Sequence, residues 1–332
     1  MNAATGNYEL PFEIDGKAGL TVGEYRVDIV SDGSLSLGDP ARLFLGQGET
    51  TIRSTLREAL LSDTSVTMDQ NIAILRTHNR IVLVDAGTGG APGFGMGSGR
   101  LPSQLVRAGV RPEDVTDVLI THGHSDHLWG LTDLDGQVRF PNAIVHISEI
   151  DHRFFTATAN DGHPIVGSQM EGCRARFAAV GDRLNLLQDG QEVLPGIVAV
   201  AAPGHTPGHM MYRLQSGKQT LLLSGDLAHH HVMFLRNPDI RLAFDADQGQ
   251  MVETRKRHFD MLATDRIPFL SYHFPFPGLG FLTREGHGFE WIQLSRDSFS
   301  HLPATKKVKG NRLGETHISA DPVETKAGRS LE

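Results

Sequence analysis

Cysteine is nearly absent from this 332-residue chain; Cys173 stands alone. No intrachain disulfide can form, and a thiolate zinc knuckle, which needs several thiols, is excluded. Long apolar runs are missing too: none reaches the roughly 18 residues that span a bilayer. Residues 1–19 lack the apolar block of a secretory leader. Basic charge is in deficit, since 31 Lys and Arg against 39 Asp and Glu leave a net charge of −8. A general electrostatic grip on nucleic acid or an anionic membrane is therefore not expected. These absences point to a soluble globular protein of a reducing compartment, placed in the cytoplasm, with neither nucleic acid nor membrane as partner. The abundance is in histidine, with 17 residues, and that matters chemically only where they cluster.

The chain divides into an N-terminal arm (1–19), one large domain (20–300) and a C-terminal tail (301–332) in which Lys306, Lys307 and Lys309 gather and large apolar residues thin out. Within the domain, Leu20–Val30 is rich in β-branched residues. Ser31-Asp32-Gly33 reads as a turn into a second strand through Leu35 and Leu37. Asn71–Leu75 and Arg80–Asp85 read as a strand pair. Gly87–Gly99 holds seven glycines without the Lys-Ser/Thr of a phosphate-binding loop, so it reads as a surface loop and a candidate active-site rim. Ser103 is placed as the cap of a short helix that Gly109 ends. Apolar strands are expected at Val115–Ile120, Ala143–Ile147, Ile197–Ala201, Met210–Leu214, Leu221–Leu223 and Pro268–Tyr272, and a helix at Met251–Thr264. Strands dominate both halves with helices between, which predicts two sheets packed face to face and helices outside.

The chemistry concentrates where strands end. Val115–Ile120 runs into Thr121-His122-Gly123-His124-Ser125-Asp126-His127, four metal-type donors in six positions. His122 and His124, two apart, can point one way, while Asp126 and His127 follow a turn and can face a second point. One loop can thus serve two cations, but each then needs further donors. Three follow in order, each after an apolar strand: His205 in Pro203-Gly204-His205-Thr206-Pro207-Gly208-His209, Asp226 after Leu221–Gly225, and His273 after Phe269–Tyr272.

These motifs resemble the metallo-β-lactamase superfamily, over roughly Leu20 to Leu294. His273-Phe274-Pro275-Phe276-Pro277-Gly278-Leu279-Gly280 and Glu285-Gly286-His287-Gly288 are similar to the branch holding methyl parathion hydrolase and related lactonases and esterases. The resemblance implies an α/β (α+β) architecture, the αββα sandwich of two mixed sheets flanked by helices. It implies two divalent ions per chain, Zn²⁺ first, with Mn²⁺, Fe or Co²⁺ as alternatives. His122, His124 and His205 would hold one, Asp126, His127 and His273 the other, and Asp226 would bridge. Asp85 would orient a ligand, and His209 would support the His205 loop. True β-lactamases of this fold commonly carry Cys where Asp226 stands, and flavodiiron relatives carry Glu at His124, so both activities are disfavoured. Glyoxalase II shares a similar metal loop, but no basic C-terminal site for glutathione is evident.

The expected function is binuclear hydrolysis of a neutral ester or lactone by a metal-bridging hydroxide, with Asp126 and Asp226 as catalytic carboxylates. Phosphotriester hydrolysis, hydrolytic aryl dehalogenation and a non-catalytic metal-binding role are the alternatives. His229, Phe274 and Phe276 are candidates for a pocket that takes a small neutral or apolar substrate. Phe154 and Phe155 are expected mainly in the core, Cys173 is expected to be inert, and a homodimer is left open.

Overall fold

The computed structural model describes residues 18–294, so the expected tail and all but the last two residues of the expected arm lie outside the described residues. Chain order begins with β1 (Ala18–Val22), β2 (Tyr25–Gly38), α1 (Pro40–Leu43), β3 (Phe44–Leu45), α2 (Glu49–Glu58), β4 (Val66–Arg76) and β5 (Ile81–Val84). Next come α3 (Leu101–Arg107), β6 (Asp117–Leu119), α4 (Ser125–Leu128), β7 (Ile144–Ser148), α5 (Glu149–Thr156), α6 (Met170–Val180) and β8 (Leu184–Leu187). The second half adds β9 (Glu192–Leu194), β10 (Ile197–Ala201), β11 (Met210–Ser216), β12 (Gln219–Leu223), α7 (Met233–Arg236) and β13 (Arg241–Leu242). It closes with α8 (Gln248–Asp265), β14 (Phe269–Leu270), β15 (Leu279–Glu285) and β16 (Gly288–Gln293).

Two seven-stranded sheets form, ordered β1-β2-β4-β5-β6-β7-β8 and β16-β15-β14-β12-β11-β10-β9. Each is mixed: β5 to β8 pair in parallel in one, and β12 pairs in parallel with β14 in the other. Period-2 patterning makes the layers. In β4, Ala73 and Leu75 face the second sheet while Ile72 and Ile74 face α3, α5 and α6. In β12, Leu221 and Leu223 meet the first sheet while Leu222 faces the layer of α2, α7 and α8. Strands buried on both faces read as continuous apolar runs, and the result is the expected helix–sheet–sheet–helix sandwich. No helix among the described residues is long and apolar enough to cross a membrane.

Two local expectations change. Ser31-Asp32-Gly33 is no turn: β2 runs unbroken from Tyr25 to Gly38, with a register shift between Ser31 and Gly33 that leaves Asp32 as the extra residue of a bulge. Helix α3 starts at Leu101, two residues before Ser103, whose hydroxyl donates to Arg100 O instead of capping. Gly109 does adopt the left-handed conformation after the helix, at φ 67°.

Tight backbone approaches hold the layers near the strand ends. A Cβ on Gly130 would collide with the Ala86 carbonyl, whereas one on Gly162 would meet nothing. Gly130→Ala is expected to lower stability by about 1–3 kcal/mol, and Gly162→Ala to stay within about 0.5 kcal/mol of wild type; urea unfolding midpoints check both.

Candidate metal centre

Six strand ends converge at one edge of the sandwich. β5 leads to Asp85, β6 to His122, β7 to Asp151, β10 to His205, β12 to Asp226 and β14 to His273. Rigid strands fix where each loop starts, and the short loops then aim the side chains. After β6 the chain turns into α4, so that His124 precedes the helix and Asp126 and His127 sit in its single turn. This separates the pair His122/His124 from the pair Asp126/His127, as the spacing suggested.

Asp226 is the hub. His127 Nε2 lies 3.3 Å from its Oδ1. His229, His205, His273 and His122 place Nε2 at 2.9, 3.2, 3.3 and 3.7 Å from its Oδ2. Asp126 Oδ2 is 3.5 Å from both His127 Nε2 and His273 Nε2. Ligand-capable atoms therefore fall into overlapping groups within 4.8 Å: His122, His124, His205 and Asp226; Asp126, His127 and His273; and Asp226, His229 and His273. All seven predicted ligands come together, and Asp226 sits between the first two groups.

The far sides of the rings are held by fixed acceptors, which sets their tautomers. His127 Nδ1 donates to Asp85 Oδ2 at 2.9 Å. His205 Nδ1 donates to Asp245 Oδ1 at 2.9 Å, and His273 Nδ1 to the Asp69 carbonyl at 2.8 Å. The Thr121 hydroxyl donates to Asp85, so it accepts from His122 Nδ1 at 3.0 Å. Each Nε2 is thereby left as a lone pair aimed inward. His122 Nε2 and His124 Nδ1 lie 2.9 Å apart, a pair that can share one proton or present two lone pairs to one cation.

Those inward atoms make a test of fit. His127 Nε2, His205 Nε2 and Asp226 Oδ1 are buried and have no hydrogen bond. Leaving one such group unsatisfied costs about 1–3 kcal/mol, yet here they cluster. Electrostatics point the same way. Burial works against protonating His205, but Asp226 and Asp245 outweigh it and push its pKa up to about 9. His127 is likewise raised well above the ordinary range, against burial, by Asp226, Asp126 and Asp85. Burial alone would raise Asp226, but His127, His273 and His229 hold it far below the usual carboxylate range. The carboxylates thus call for positive charge in a space lined by inward lone pairs. A divalent cation fits this nitrogen and oxygen donor set.

Several supports carry no motif of their own. Asp151 on α5 accepts from Gly123 N, Thr206 Oγ1 and Gly208 N at 2.9, 2.9 and 2.7 Å, tying the His122–His124 loop to the His205 loop. Tyr272 donates its hydroxyl to Asp126 O at 2.7 Å and lays its ring 3.9 Å from that of His127. Buried Arg255 bonds Leu227 O, beside Asp226, and lies 3.7 Å from Asp245. His209 donates to Ala202 O and accepts from Asp226 N, so it braces Asp226 as well as its own loop. Cys173 is buried beneath the site against Gly123 O, and burial pushes its thiol up to about 12, too high to react at neutral pH.

Beside the donors lies a cavity of about 270 Å³. His124, Asp126, His205, Asp226, His229 and His273 form its floor, and Leu35, Leu37, Phe94, Ile165 and Phe244 its walls. His229 is therefore in the pocket, with Nε2 on Asp226. The two phenylalanines predicted beside it are not. Phe274 is fully buried in the core between the second sheet and its helices, and Phe276 packs against the core between the sheets. The 274–278 segment turns away because Asn71 Nδ2 grips Phe274 O and Asp69 Oδ2 grips Phe276 N. Phe155 is core, as expected, with its ring beneath Gly123.

Among the donors Asp245 hydrogen-bonds His205, which belongs to the first group. Asp245→Asn is expected to weaken divalent-ion binding there about 10–100-fold while the His127/His273 group keeps its ion. Competition with a chromogenic chelator, resolved into two binding steps, measures this.

Comparison with known proteins agrees with this geometry. Residues 67–270 match the model of the metallo-beta-lactamase superfamily. A probable metallo-hydrolase of Mycobacterium tuberculosis is 25% identical over 184 residues, covering 47% of this chain and 55% of the relative. The N-acyl homoserine lactonase AttM of Azorhizobium caulinodans is 32% identical over 133 residues, covering 38% of this chain and 46% of the relative. The chain spans about half the length of the curated relatives it matches. Among solved structures, AidC, a dizinc quorum-quenching lactonase in complex with a product, superposes with a TM-score of 0.79 at 28% identity over 84% of this chain and 98% of its own. The hydrolase AbOPH gives 0.77 at 25% identity over 86% and 99%. With two sheets between helices and the histidine–aspartate cluster at the strand ends, the chain belongs to the metallo-beta-lactamase superfamily.

Proposed function

We propose that this metallo-hydrolase opens a neutral lactone or ester bearing an apolar acyl arm, at a site holding two divalent ions. The N-acyl homoserine lactones named for two of its relatives are the first substrates to try. One observation carries the substrate class: beside the donors the cavity is lined by Leu35, Leu37, Phe94, Ile165 and Phe244, with only the neutral Ser36, Ser125 and Gln169 as further polar side chains and no Lys or Arg. A phosphodiester or carboxylate substrate would find no basic clamp there. An acyl arm burying about 100–200 Å² of apolar area would gain about 2.5–5 kcal/mol before binding costs.

His122, His124 and His205 would hold one divalent ion and Asp126, His127 and His273 the other, with Asp226 between them, and such ions would supply an activated water and polarise the substrate's acyl oxygen. The chain's own residues do the rest. Asp226 offers one oxygen toward His127 and the other toward His205 and His273, so it can hold both groups at once. Asp126, partly exposed to the cavity, is placed to take a proton and pass it to the leaving alkoxide. His229, on the cavity floor, can donate to a substrate oxygen once its Nε2 leaves Asp226.

The test is a panel of lactones of several acyl lengths, an aryl ester, a phosphotriester, a phosphodiester and a β-lactam, with the metal content of each preparation measured. Turnover of the lactones or the aryl ester with close to two ions per chain is the expected result. Preference for the phosphodiester overturns the proposal. Asp226→Ala is expected to lose both ions and to lower kcat/KM at least about 10³-fold, since it removes the carboxylate shared by both groups.

A further inference from the structure

The bulge in β2 gives its extra residue a task. Asp32 is fully buried, and its carboxylate reaches into the neck of the glycine-rich loop. Oδ2 accepts from Thr88 N, Thr88 Oγ1 and Gly99 N at 3.0, 3.1 and 3.2 Å, and Oδ1 accepts from Leu101 N at 2.6 Å. Its backbone carbonyl accepts from Arg100 N at 3.0 Å. Both ends of the loop are thus fastened to one side chain. The neck leaves no spare room: a Cβ on Gly87 would press on the Asp32 carboxylate, and one on Gly33 would strike the Gly97 carbonyl. Beyond the neck, Gly90, Gly93 and Gly95 take positive φ, and a Cβ on any of them would meet nothing. The tip presents Gly93 and Phe94 to the cavity, with Phe94 edge-on to Trp129 at 6.0 Å.

Leu35, Ser36 and Leu37, which line the same cavity, follow Asp32 on the same strand. One carboxylate therefore sets the spacing of two cavity walls, one on β2 and one on the loop. We infer that Asp32 is a specificity-determining, positioning residue: by clasping the glycine-rich loop to β2 it holds Phe94 opposite Leu35 and Leu37 and so fixes the width of the slot that receives the apolar arm. It acts through Phe94 and reaches neither the substrate's reacting atoms nor a metal-ligating side chain. The inference rests on the proposed substrate class.

Asp32→Asn is nearly isosteric, but its amide must turn N–H toward N–H on one side of the neck. The measurement is kcat and KM for butanoyl and octanoyl homoserine lactone, with metal content alongside. Wild-type chain-length preference should collapse in Asp32→Asn, the octanoyl-to-butanoyl ratio of kcat/KM falling at least about tenfold, mainly through KM. Metal content and kcat on the butanoyl substrate should stay within about twofold. Phe94→Ala should reproduce the collapse, and the double variant should add little to either. An unchanged ratio, or an equal loss on both substrates, overturns the inference. If Asp32→Asn does not fold, Thr88→Ala, which removes one of the four donors, should show the same direction with a smaller drop; an unchanged ratio there overturns it equally. If the wild type opens no lactone, the proposed reaction fails separately. The clasp is then read by calorimetry with neutral octanamide against butanamide, where equal selectivity in wild type and variant overturns it.

Discussion

Everything at the working edge of this protein depends on one buried negative charge, that of Asp226, held in the midst of imidazoles. A carboxylate so far from water is stable only with positive charge or hydrogen bonds around it. The fold supplies rings from four loops and fixes His122, His127, His205 and His273 by their outer nitrogens. The inner nitrogens then have no role except to meet a cation or a proton. That requirement explains why so much of the structure behind the site is orientation. Asp85, Asp245 and the Asp69 carbonyl each hold one ring.

A common device recurs around this centre: a buried aspartate that accepts from the backbone of another segment. Asp151 fastens the His122–His124 loop to the His205 loop, and Asp32 fastens the glycine-rich loop to β2. Asp69, only half-buried, fastens the segment after His273 in the same way. Loops cannot hold a shape by apolar packing alone, because their amides need acceptors. A single carboxylate with two oxygens can satisfy several amides and fix the relative position of two loops at once. Asp85 is itself in the left-handed region, at φ 68°, where a non-glycine residue persists only when its surroundings hold it.

The sandwich and the seven donors were legible because both are written as local pattern. Apolar runs of five or so residues ending in His or Asp announce buried strands that bring donor-type side chains to one edge. What could not be read lay in contacts between distant segments. Asp245 stands 40 residues from the His205 it orients. Asp151 falls in Ser148-Glu149-Ile150-Asp151, where Ser148 caps α5 and accepts from Ile150 N and Asp151 N, so local sequence accounts for the position without revealing where its carboxylate goes. Ser31-Asp32-Gly33 has the composition of a turn, and only the glycine-rich loop arriving from elsewhere makes it a bulge. Phe274 and Phe276 misled for the same reason: adjacency to His273 in sequence says nothing about direction once Asn71 and Asp69 redirect the chain.

The two-ended character of the sandwich has a practical side. The hairpin turns at Gly23-Glu24, Thr77–Arg80, Ser216–Lys218 and Gly286-His287 all lie at the end opposite the strand ends that carry the donors. At about 3.3 Å per residue, strands such as β11, seven residues long, put roughly 20 Å of packed sheet between those turns and the cavity. Attachment chemistry, such as a fluorophore at His78 or a surface tether through the Gly217 turn, can therefore be placed there with the cavity mouth facing outward, which suits the protein to immobilised formats.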